Sequence, residues 1–178
     1  MNTINLLALL AILAVAVFCD LRVRKIPNSL ILLGLALGFG LSMLPTGPGV
    51  LAAAGGFGLG FAAFLPLYAL RVLGAGDVKL MAVAGSFLGV AGTFGAMLMG
   101  LLAGGVLAVG YGLFLGRLGA VFSNLRGIVL DVCVGVLHGR APQIRAVASP
   151  VKLPYSLAIA SGVLIFVFIR YQYTGALA

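Results

Sequence analysis

Charge is what this chain lacks. Only 8% of its 178 residues are charged, there is no glutamate, and the acids are three: Asp20, Asp77 and Asp131. A soluble globular domain carries about 25% charged residues, so this composition excludes an ordinary water-facing surface. Metal-type cysteine spacing is also missing. Cys19 and Cys133 stand far apart and read as small apolar residues in or near helices. There is no H-E-x-x-H, no G-x-S-x-G and no Walker loop, so those metallopeptidase, serine-hydrolase and nucleotide-hydrolase signatures are absent. The single histidine, His138, lies in a basic segment and reads as structural or solvated.

Apolar sequence is what the chain has in quantity: 63% of its residues are hydrophobic and the mean hydropathy is +1.27. A transmembrane helix takes roughly 20 mostly apolar residues. The length therefore predicts an all-α, polytopic membrane helix bundle of about six spans, forming a single membrane-embedded domain over 1–178. Uncharged stretches place spans near 4–19, 29–44, 50–70 and 153–169, with two more in the run from 80 to 116. Pro45-Thr46-Gly47-Pro48-Gly49 separates the second span from the third, and Gly89-Val90-Ala91-Gly92-Thr93 is the expected turn between the fourth and fifth. Segment 117–152 is more polar, with a short apolar middle, and is expected to lie at one membrane face as an interfacial or re-entrant piece. A seventh span there would invert the C-terminal orientation.

The net charge of +8 comes from basic residues scattered between apolar runs. It forms no block that could track phosphates, so no nucleic-acid partner is expected. Six spans with the N-terminus outside put Arg22, Arg24, Lys25, Arg71, Lys79, Arg117, Arg126, Arg140, Arg145 and Lys152 on the inner side and only Arg170 outside. That is the bias of an inner-membrane protein with cytoplasmic positive loops. The first apolar run lacks a basic n-region and is followed by Arg22, Arg24 and Lys25, which favours a retained helix over a cleaved signal.

This topology brings Asp20, at the cytoplasmic end of the first span, and Asp77, at the start of the fourth, to the same face. An ionisable group at the edge of a bilayer is costly and points to function. Two facing carboxylates cannot both ionise easily and share a proton. One can then act as base on water while the other donates a proton, which is the chemistry of aspartic peptide hydrolysis. Gly74 and Gly76, in Gly74-Ala75-Gly76-Asp77-Val78-Lys79-Leu80, leave backbone room for a second chain. Plainer roles compete: Asp77 as a helix N-cap, Asp20 in an ion pair with Arg22 or Arg24, the two glycines in helix packing alone, and Asp131 paired with Arg126. A small proton-coupled transporter or a non-catalytic membrane assembly subunit are the alternatives in function.

Three patches resemble the bacterial type IV prepilin peptidases, an aspartic intramembrane group sharing a Gly-x-Gly-Asp motif. The first is Asp20 followed by Arg24-Lys25-Ile26-Pro27-Asn28. The second is the segment around Asp77, and the third is Leu153-Pro154-Tyr155-Ser156-Leu157-Ala158-Ile159-Ala160. The resemblance implies removal of a short basic leader from prepilins or pseudopilins at the cytoplasmic face of the inner membrane. It implies Asp20 and Asp77 as the catalytic pair, with Pro27, Asn28, Gly74, Gly76, Lys79, Pro154 and Tyr155 shaping the site. No metal or cofactor is called for, and the partners would be the bilayer, the substrate and pilus or secretion machinery. Longer members of the group carry a cysteine-paired insert after the first helix and methylate their product. Here that stretch is short and has no Cys-x-x-Cys, which resembles the peptidase-only branch serving Flp-type, tight-adherence pili.

Overall fold

The computed structural model describes residues 3–45, 47–69, 73–114, 116, 119, 123, 126–127 and 155–174. Among the described residues, five continuous helical elements can be delimited: α1 (Thr3–Val23), α2 (Asn28–Ser42), α3 (Val50–Ala69), α4 (Ala75–Phe114) and α5 (Tyr155–Thr174). No strand occurs among the described residues. By length and composition, α1, α3, α4 and α5 could each cross a membrane. Large apolar side chains such as Leu7, Leu32, Leu51, Phe94, Val106 and Phe168 lie on the outside, as a lipid-facing surface requires, while the helices satisfy their backbone groups internally. Segment 117–152, with the interfacial placement expected for it, falls largely outside the described residues. So do Arg71, Asp131, Cys133, His138 and Pro154.

The α4 element is two arms. Gly89 has φ 68° and ψ −179°, a conformation that side-chain-bearing residues adopt only under strain. A straight helix would hold Met81 and Leu101 about 30 Å apart at 1.5 Å per residue, yet both line one cavity. The chain therefore doubles back at Gly89. The Thr93 hydroxyl secures the reversal, donating to the Gly89 carbonyl at 2.6 Å and reaching the Gly85 carbonyl at 3.5 Å. The expected turn at Gly89 is thus present, tighter than a loop, and among the described residues six apolar helical segments result: α1, α2, α3, both arms of α4, and α5. Their lengths are uneven. The α2 helix has 15 residues, and the first arm of α4 rises only about 20 Å before Gly89, short of a bilayer's roughly 30 Å apolar thickness.

That short arm is the centre of the bundle. Val78, Leu80, Met81, Ala82, Val83, Ala84 and Phe87 are all buried, so it is enclosed on every side, as an all-round apolar helix should be. The α3 helix crosses it at Gly56 and Gly85, where a Cβ on either glycine would run into the other's backbone. Between lipid-facing helices there is little hydrophobic driving force, and such close backbone approach supplies the packing instead. The α5 helix runs antiparallel to the second arm, with Phe166 against Gly95 and Ala158 against Gly104. The α2 helix lies on the first arm through Gly34 against Val83 and Gly38 against Ser86, with Ile12 of α1 nearby. These crossings bring the C-terminal end of α1 and the starts of α2, α4 and α5 to one end of the bundle.

Candidate active site

The α1 helix does not stop at Asp20. It runs to Val23 and ends where Arg24 adopts φ 53°, its amide still bonded to the Asp20 carbonyl at 2.9 Å. Asp20 is therefore inside the last turn and projects from a fixed helical backbone. A charged residue was expected to break the span, but the final turn of a helix at a membrane interface tolerates it. Four residues separate α1 from α2, and Pro27 makes the reversal. It occupies the N-cap position of α2 with extended backbone (φ −62°, ψ 136°), and its carbonyl accepts from the Leu30 and Ile31 amides. Proline suits a helix entrance because the amide it lacks would have no helical partner there.

Asp77 sits in the first turn of α4, not ahead of it as an N-cap would. Its Oδ2 accepts a hydrogen bond from the Gly74 amide at 3.1 Å. That is the backward half of a capping box, in which an acid in the first turn satisfies the amide at the helix entrance. One oxygen of Asp77 is thereby committed to accepting from backbone. Gly76 lies against Ile26, 3.3 Å from where its Cβ would be, so its small size lets the α1–α2 loop approach. Gly74 is exposed.

Ser156 belongs to the third patch but is not among the site residues that the resemblance implies. It is 0% exposed, and its hydroxyl donates to Asp20 Oδ2 at 2.5 Å. Its neighbour Tyr155 is half-buried and lies within electrostatic reach of Asp77. Asp20, in the last turn of α1, and Asp77, in the first turn of α4, lie at the same end of the bundle. Asp20 forms no ion pair among the described residues. The neighbouring Arg22 lies over the Phe18 ring instead, 5.6 Å from its centroid, a typical cation–π distance.

Lys79 and Asn28 are also brought together. The Lys79 ammonium donates to Asn28 Oδ1 at 2.9 Å, tying the start of α2 to the start of α4 on the exposed rim. Of the expected site residues, Asp20, Pro27, Asn28, Gly74, Gly76, Asp77, Lys79 and Tyr155 all lie at this end of the bundle. Pro154 is outside the described residues. No group of three or more histidine, cysteine or acidic side chains that could hold a metal occurs among the described residues.

Comparison with known families decides the kind of protein. The model of the type IV leader peptidase family matches residues 7–109, a stretch that holds both aspartates and more than half of the chain. The chain belongs to the type IV leader peptidase family. It is thereby a membrane peptidase in kind, with prepilins as the substrates its family implies. The match ends before α5, so it says nothing of Tyr155 or Ser156. No curated protein and no solved structure matches the chain significantly.

Proposed function

We propose that this leader peptidase is an aspartic endopeptidase that cuts the leader from Flp-type prepilins at the cytoplasmic face of the inner membrane, with Asp20 and Asp77 as its catalytic pair. The observation that supports this is the placement of two acids from different helices at one end of an otherwise apolar bundle, each already held by a hydrogen bond. One carboxylate takes a proton from water as its oxygen bonds to the scissile carbonyl carbon. The other, protonated, donates to the carbonyl oxygen. Collapse of the tetrahedral intermediate breaks the C–N bond, and the departing nitrogen takes up a proton. The pair acts as a unit, with one proton shared between two sites.

The basic residues support the orientation, since they gather on the side to which both aspartates belong. The short α1–α2 connection supports the peptidase-only branch, as it leaves no room for a cysteine-paired insert. A transporter would place its acids nearer the midplane, on a path between the two faces. Here both acids are at one end. The test is leader cleavage by purified protein in liposomes, followed by mobility shift, for wild type, Asp20→Asn and Asp77→Asn. Cleavage by wild type alone is expected. Normal cleavage by either inserted variant sinks the dyad.

A further inference from the structure

Tyr155 opens α5 and is half-buried at the end of the bundle where both aspartates lie. Its surroundings fix where it stands. The next residue, Ser156, bonds to Asp20, which holds the start of α5 beside the end of α1. One edge of the Tyr155 ring faces the second arm of α4, with Cε1 3.9 Å from where a Cβ on Gly104 would be. The ring also lines the interior cavity together with Leu73 and Met81. Leu73 adjoins Gly74, whose amide holds Asp77, and Met81 follows Asp77 by one helical turn on the same face. Tyr155 is therefore placed across from the turn that carries Asp77, and it lies within reach of the Asp77 charge.

The hydroxyl is what the packing leaves over. Tyrosine in a largely apolar setting usually gives its hydroxyl a partner, but that of Tyr155 bonds to no described residue. No buried polar side-chain atom among the described residues lacks a partner, so this hydroxyl is open to an incoming molecule. We propose that the Tyr155 hydroxyl donates a hydrogen bond to the oxygen of the scissile carbonyl as the tetrahedral intermediate forms. The inference rests on the leader-peptidase reading with its aspartate pair. It adds a catalytic residue from α5, beyond the stretch that the family model matches. A carbonyl oxygen accepts two hydrogen bonds. The protonated carboxyl supplies one, and its proton passes to the oxygen. Tyr155 supplies the other and keeps its proton throughout, since a tyrosine ionises only at about pH 10. Its bond strengthens as charge gathers on the oxygen, so it favours the transition state over the bound substrate. The apolar residues around the ring, Phe64, Leu67, Met97 and Ile159, lower the local dielectric and raise the worth of that bond.

The experiment uses the full-length protein in liposomes, a prepilin-like substrate, and an uncleavable analogue of it with a hydroxyethylene group in place of the scissile amide. Wild type, Tyr155→Phe and Tyr155→Leu are compared. Tyr155→Phe removes one oxygen and leaves the ring. It should lower kcat by about a hundredfold, the scale of losing one donor to a developing oxyanion, with KM within about twofold. It should bind the analogue about tenfold or more weakly, because the analogue carries a tetrahedral carbon and its hydroxyl. Its melting temperature should match wild type. Tyr155→Leu should lose the same activity and some stability besides, since the ring goes too. Wild-type kcat in Tyr155→Phe overturns the proposal and leaves Tyr155 a packing residue; the peptidase reading survives that result. A fall in kcat with unchanged affinity for the analogue, or one that follows a lowered melting temperature, overturns the contact with the carbonyl. Folded, inserted wild type that cuts no prepilin-like substrate overturns the peptidase reading and the role of Tyr155 with it.

Discussion

The Ser156 hydroxyl lies 2.5 Å from Asp20 Oδ2 and joins the last helix of the protein to the first. A hydroxyl both donates and accepts, so Ser156 can keep this bond whether Asp20 carries a proton or not. The backbone amide of Gly74 has no such freedom and holds Asp77 Oδ2 as an acceptor throughout. The two carboxylates therefore sit in unequal environments, which suits a pair that exchanges one proton.

Ser156→Ala should accordingly lower kcat with little change in KM. A hydrogen bond to a charged group is worth about 1.5–3 kcal/mol, so a loss of roughly ten- to a hundredfold is expected. Ser156→Thr keeps the hydroxyl and should recover most of the rate. Kinetics on the three proteins decide the matter. Equal loss in the Ala and Thr variants would reduce Ser156 to a packing residue.

If Asp20 and Asp77 act as one unit, their single losses cannot add. Asp20→Asn, Asp77→Asn and the double variant should all fall to the same residual rate, because either change removes the shared proton site. Wild type should show a bell-shaped dependence of kcat/KM on pH. Activity falls in acid when both carboxyls are protonated and no base remains, and in alkali when both are ionised and no acid remains. A double variant far slower than either single one, or a rate with one limb only, would separate the two roles.

Lys79 and Asn28 offer a milder case. Their 2.9 Å bond is exposed, and exposed polar contacts stabilise little, about 0.2–1 kcal/mol. Lys79→Met, Asn28→Ala and the double variant should each cost less than tenfold in cleavage, with a coupling energy of about 1 kcal/mol or less. A thermodynamic cycle on kcat/KM measures it. Coupling well above that would mean that one of the pair contacts the substrate.

Some of this site could be read directly along the chain. Asp20 and Asp77 stand out because each adjoins a long apolar run, and the alternation of spans puts both at one end. The turn at Gly89 was visible in Gly89-Val90-Ala91-Gly92-Thr93 for the same reason that it works: glycine permits the backbone and threonine caps the freed carbonyls. Ser156 was not legible as Asp20's partner. Which face of α5 meets α1 depends on helix rotation, and a helix that is apolar nearly all round gives no periodic signal of it. The extent of α1 was missed because the charge at Asp20 looked like an end, while the backbone hydrogen bonds continue through it.

Glycines on α3 provide an internal control for packing. Gly56 meets the backbone of α4, so a methyl group there collides with the Gly85 carbonyl. Gly58, half a turn away, has nothing within 4 Å of its would-be Cβ. Gly56→Ala should lower thermal stability in detergent by about 1–3 kcal/mol, the usual cost of overpacking, and Gly58→Ala should be neutral. Thermal melts of both variants test the crossing. Equal stability would mean that α3 and α4 do not approach closely at Gly56.

Gly89 carries the strongest backbone prediction. At φ 68°, ψ −179° any residue with a Cβ is strained by about 1–3 kcal/mol, although no clash awaits it: the nearest atom, on Ala52, is at ordinary contact distance, 3.6 Å from the would-be Cβ. Gly89→Ala should therefore destabilise through backbone conformation and not through a clash. Thr93→Val removes the hydroxyl that holds the reversal and leaves the Gly89 carbonyl without this donor, at a cost of about 1–3 kcal/mol for a buried group. Both changes lie at the far end of the α4 arm from Asp77. They should lower the melting temperature while leaving kcat of the folded fraction close to wild type. Melting curves and active-fraction kinetics on the same preparations check this. An unchanged melting temperature for Gly89→Ala would mean that α4 passes straight through this point, and the two-armed element would have to be abandoned.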